Sequence, residues 1–129
     1  MSRKKSRELL FKMVFELCFQ NPEGVDEDLF ALESLDEENK EFVLSMYNGI
    51  KNNFNEIVGV VEKHLKGYTL DRVFKVDLAI LIMAVYEIKY VKETPINVVI
   101  NEAVELAKRY STEKSYSFIN GVLANVVKE

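Results

Sequence analysis

The chain lacks most of what would tie it to a membrane, an oxidising compartment or a catalytic centre. It has 129 residues and one cysteine, Cys18, so it can form neither an intramolecular disulfide nor a cysteine metal cluster. This fits a reducing cytoplasm. Cys18 lies in an apolar helical stretch, where a buried, inert thiol is expected. Tryptophan is absent, and proline occurs only at Pro22 and Pro95. With five glycines, that scarcity favours helices over a turn-rich β architecture. The longest apolar run, "LAILIMAVY" at Leu78–Tyr86, is about half the ~20 residues that a membrane-spanning helix needs. The N-terminus is charged like a signal peptide's first region. However, Lys12 and Glu16 interrupt the apolar stretch that follows, and no small-residue cleavage site appears. A cytoplasmic, unprocessed chain is expected.

Catalytic patterns are missing as well. There is no HExxH, P-loop or GxGxxG, and His64 is the single histidine. A histidine near a helix end is expected to cap or face solvent rather than act as a base. No cofactor or metal is indicated, and an enzyme is the least favoured class.

What is present is helical periodicity along one domain, residues 1–129. Leu10, Val14 and Leu17 recur at helical spacing with Met13 beside them, predicting a helix over about 3–20 that "NPEG" ends. Residues 23–41 hold nine acids and one lysine, a net of −8, and read as a solvated face with a short docked helix around Leu29, Phe30 and Leu32. Ser34 and Glu37 offer a capping box. From Phe42 through Met46, Ile50, Phe54, Ile57 and Val61 to Leu65 the helical spacing continues. A bend and a second cap are expected at Asn53 and Glu56, and an end at Gly67. Thr69 can cap a turn in "LDRV". "FKVDLAILIMAVYEIKYV" is apolar almost all round and reads as the buried central helix. Thr94 is the expected N-cap of the next helix, with Pro95 at its first position. The last helix spans about 113–127, and Gly121 inside it implies a close helix–helix approach. The expected fold is an all-α compact bundle of six or seven helices.

The distribution of charge stands out. The formal net charge is −4, yet Arg3, Lys4, Lys5 and Arg7 crowd the first seven residues. Cations there oppose the helix macrodipole, at a cost of about 0.3–1 kcal/mol each when unscreened. They mark a solubilising tail or an anion site. An anionic membrane surface would need the apolar face of Leu10, Val14 and Leu17 free, and the small core needs that face to close. RNA phosphates are the other anion, and Phe11, Phe15, Tyr116 and Phe118 are rings on which bases could stack.

The second half is more specific. "VDLAILIMAVYEI", "PINVVINEAVELAKRY" and "SYSFINGVL" follow one another with short spacers. With the basic first helix they resemble the NusB family of bacterial transcription antitermination factors, closely over about residues 68–127. The resemblance implies two small helical subdomains and no enzymatic activity. It also implies binding to single-stranded boxA RNA of nascent ribosomal transcripts together with NusE, the tenth small-subunit ribosomal protein. Other Nus factors and RNA polymerase would join indirectly. It carries RNA binding onto Arg3, Lys4, Lys5 and Arg7, and onto Lys114, Phe118 and Asn120 at the last helix. It carries NusE binding onto Asp71 and Asp77. Two departures are visible: Ile82 stands where the family often has Arg, and Ala124 where it often has an acid. Lysines in place of arginines lose bidentate phosphate geometry, implying weak RNA binding without NusE. The alternatives are an RNA-independent interaction module or homodimer, and the accessory domain of a ribosomal RNA methyltransferase. The second is disfavoured by a chain that ends at Glu129.

Overall fold

The structure, a computed structural model, describes residues 2–19 and 31–129. Leu29, Phe30, the "NPEG" stop and the acids from Glu23 to Asp28 lie outside the described residues. Among those described, six α-helices carry the fold and no strand occurs. They are α1 (Ser2–Cys18), α2 (Glu37–Asn52), α3 (Phe54–Lys63), α4 (Lys75–Tyr86), α5 (Ile96–Tyr110) and α6 (Ser115–Lys128). None is long and apolar enough to cross a membrane.

Helix α4 is the axle. Every residue from Asp77 to Val85 is buried, as its all-round apolar sequence requires. Against it pack α1 and α2 on one side, α5 and α6 on another, and α3. Helix α1 contributes Leu10, Met13 and Val14 to a single continuous core. Beyond Tyr86 the chain widens into a π-turn, Glu87–Val91, and reverses at Lys92, whose φ is +59°.

The caps differ in detail from those expected. Helix α2 is capped by Asp36, whose carboxylate accepts from the Asn39 amide at 2.9 Å. Ser34 instead donates to the Ala31 carbonyl. An ionised acceptor makes the stronger cap, and it sits two residues nearer the helix. The bend at Asn53 is present, but its side chain turns back to donate to the Gly49 carbonyl at 2.8 Å. Pro95 rather than Thr94 is the N-cap of α5, and the Thr94 hydroxyl is turned away to donate to Glu87 at 2.7 Å. Gly67 adopts φ +79° in the turn after α3, whose cap is His64.

The close approach falls at a different glycine. A Cβ on Gly121 would meet nothing within 4 Å, whereas one on Gly49 would lie 1.7 Å from the Tyr86 hydroxyl. Gly121 faces solvent on α6, while Gly49 lets α2 lie against the end of α4.

Candidate nucleic-acid interface

The N-terminal basic cluster divides by helix face. Arg7 shares the inward face with Leu10 and Val14, at helical spacing, and is only 7% exposed. Its Nη2 lies 2.6 Å from Glu87 Oε2, tying α1 to the π-turn. Arg7 is therefore not an exposed cation available to a phosphate, against the sequence expectation. Arg3, one turn earlier, is half-committed. Its guanidinium sits 4.0 Å over the Phe42 ring and 3.5 Å from Glu38. Lys4 and Lys5 are exposed, as is Lys12 two turns on. Lys4 borders a narrow cleft with Glu8, Glu102, Glu105 and Arg109, and Arg109 pairs with Glu8.

A second cluster surrounds the start of α6. Lys114 and Phe118 line an open cleft of about 530 Å³ with Tyr68, Arg72 and Phe74. The Tyr68 and Phe118 rings meet edge to face at 5.1 Å. Tyr68 and Phe74 are 54% and 59% exposed, a costly placement for large rings on an unpartnered surface. Asp77 closes the floor of this cleft and is 4% exposed. Its carboxylate accepts from the Ser111 hydroxyl at 2.6 Å and the Ser115 hydroxyl at 2.9 Å. Asp77 thus pins the α5–α6 corner that presents Lys114. It belongs to no exposed acidic surface, because its position in the first turn of α4 points it into that corner. Asp71, on the turn Leu70–Arg72, is exposed.

The second cluster follows directly on the end of α5, where Arg109 pairs with Glu8 and Tyr110 stacks on Phe11 of α1. That helix runs antiparallel to α4, with Arg7 against Glu87 at the far end of α4. Its other end brings Cys18 near Lys75, at the start of α4.

Asn120 is exposed on α6, beside Tyr116 one turn earlier, and faces α5 across a groove. Of the other rings, Phe11 is core, stacked on Tyr110 at 5.1 Å. Phe15 is partly buried against the core, and Tyr116 is exposed under the Lys108 ammonium, 5.2 Å away. Tyr68, Arg72 and Phe74 escaped the sequence reading. Their only signal was two aromatic residues flanking the polar "TLDR" without helical periodicity. His64 holds the end of α3, its Nδ1 2.8 Å from the Val60 carbonyl. No group of three His, Cys, Asp or Glu residues suited to a metal occurs among the described residues.

The family model described as the NusB family matches residues 4–128. Transcription antitermination protein NusB of Acetivibrio thermocellus is 45% identical over 130 residues, covering 99% of this chain and 90% of the relative. The solved structure of T. maritima NusB superposes with a TM-score of 0.89 at 36% identity, covering 100% of this chain and 92% of that one. A crystal structure of the antitermination factors NusB and NusE in complex with dsRNA matches with a TM-score of 0.87 at 25% identity, covering 98% and 96% of the two chains.

Proposed function

The chain belongs to the NusB family, and we propose that it is a transcription antitermination factor that binds boxA-type single-stranded RNA of ribosomal transcripts together with NusE. The observation that carries this reading is the match across residues 4–128, at 45% identity, to a protein named for antitermination. Two features of the surface support the RNA part. Exposed cations on α1 and at the start of α6 suit phosphates. Exposed rings at Tyr68, Phe74 and Tyr116 offer faces for unstacked bases. Overall acidity is no obstacle, because the contact is local.

In this reading Lys4, Lys5 and Lys114 supply phosphate contacts, Phe118 and Asn120 meet bases, and Arg3 contributes after leaving Glu38. Arg7 acts indirectly, holding α1 against the π-turn at 2.6 Å from Glu87. NusE is a basic protein, and the exposed acid offered to it is Asp71. Asp77 shapes the corner beside it. The complex would reach RNA polymerase through other Nus factors, in the cytoplasm.

The test is fluorescence anisotropy of a labelled boxA-type RNA beside a scrambled RNA, with and without NusE, at two salt concentrations. Selective binding that tightens with NusE and weakens in a Lys4→Ala/Lys5→Ala/Lys114→Ala variant supports the proposal. Binding without selectivity, or a variant that binds like the parent, overturns it.

A further inference from the structure

The groove between α5 and α6 holds an arrangement that neither the fold nor the phosphate contacts explain. Asn97, Asn101 and Lys108 fall at i, i+4 and i+11, one stripe along α5. Tyr116, Ser117 and Asn120 face them from the first two turns of α6. Together they border a depression of about 480 Å³, within the range of small-ligand sites. All six side chains are exposed. Lys108 is the one charged residue of the described lining, and its ammonium lies 5.2 Å from the Tyr116 ring centre. Ile100 and Val104 form the apolar floor.

We infer that this groove reads an unpaired adenine of the bound RNA. A carboxamide presents one donor and one acceptor side by side, and an unpaired adenine offers its amino group beside a ring nitrogen on two edges, where an unpaired cytosine offers that pair on one. Three carboxamides around an apolar floor suit a neutral base edge better than a phosphate. A phosphate would call for several cations, and the groove has one. The Tyr116 face provides the stacking surface, and Lys108 at the rim meets the adjoining phosphate. The groove is continuous with the Lys114–Phe118 surface, because Tyr116 and Ser117 also border the neighbouring depression beside Phe118 and Tyr68. A strand lying along the start of α6 therefore passes from one to the other. The inference rests on the RNA reading above and adds to it a base-specific subsite.

The experiment compares a labelled boxA-type RNA with the same RNA carrying purine riboside, which lacks the amino group, in place of adenosine. Parent protein and an Asn101→Ala/Asn120→Ala variant are titrated with both, with NusE present, and thermal unfolding verifies that the variant folds. The parent is expected to bind the purine-riboside RNA about tenfold more weakly, as removing one bidentate base pairing implies. The variant is expected to lose that discrimination while keeping the parent's salt dependence, because its lysines remain. A parent that binds selectively but discriminates no better than the variant overturns the groove and leaves the RNA reading standing. The same holds if the variant keeps the parent's discrimination, or loses affinity for NusE alone, which would make the groove a protein contact. A parent that binds no RNA selectively overturns both readings.

Discussion

Arg7 Nη2 and Glu87 Oε2 lie 2.6 Å apart with both side chains more than nine-tenths buried. The pair joins the second turn of α1 to the π-turn that ends the central helix. Glu87 also accepts the Thr94 hydroxyl, so one carboxylate organises α1, the π-turn and the approach to α5. Removing one partner leaves a buried charge uncompensated. Arg7→Ala is expected to cost about 3–5 kcal/mol in urea denaturation, and Arg7→Met/Glu87→Leu much less. An Arg7→Ala protein as stable as the parent would show that the pair is not holding the helices.

Lys4→Ala/Lys5→Ala should behave in the opposite way. Both lysines are exposed, so stability should stay within about 0.5 kcal/mol of the parent. RNA affinity should fall. The slope of log affinity against log salt should drop by about 1.4, roughly 0.7 for each single-strand phosphate that a lysine no longer neutralises. An unchanged slope would assign the RNA phosphates to other residues.

The two glycines make a paired prediction. A Cβ at Gly49 would sit 1.7 Å from the Tyr86 hydroxyl, and the Tyr86 ring is held by stacking on Tyr90 at 5.1 Å. Gly49→Ala is expected to destabilise by about 1–3 kcal/mol. Gly121→Ala fills open space on an exposed helical surface and should stabilise by up to about 1 kcal/mol. Denaturation midpoints of the two variants should move in opposite directions.

Cys18 is half-buried rather than buried as its apolar stretch implied; the desolvation still pushes its thiol up to about 11 from 9.0, with Lys75 pulling it partly back. The neutral thiol is the form the fold prefers. Its contribution to stability is complete below pH 9.0 and is lost as pH rises through about 11. Alkylation of the folded protein should be slow near neutral pH and speed up about tenfold per pH unit toward that range. Rapid labelling of the native protein at neutral pH would contradict the raised pKa of this half-buried thiol.

How the sequence and the structure share the information follows from what each interaction depends on. Helix spans, the buried Leu78–Val85 stretch and the break at Asn53 were legible along the chain, because spacing and local backbone preference set them. The family was legible in "INEAVELAK" followed by "FINGVL" for the same reason, as ordered local motifs. Lys4, Lys5 and Lys114 stand out in the sequence as cations, and the structure leaves all three exposed. Arg7 and Asp77 were not readable as buried groups. Their partners, Glu87 and the Ser111–Ser115 pair, lie 80 and more than 30 residues away. Only packing α1 and the α5–α6 corner onto α4 brings those groups together. The caps at Asp36 and Pro95 depended on the folded backbone, where the Ser34 and Thr94 side chains sit off the helix starts and donate to the Ala31 carbonyl and Glu87. The chain alone therefore determined which segments are helices and which family they compose. The tertiary structure decided which charges pay desolvation in pairs and which stay free in water, because that depends on the neighbours that folding supplies.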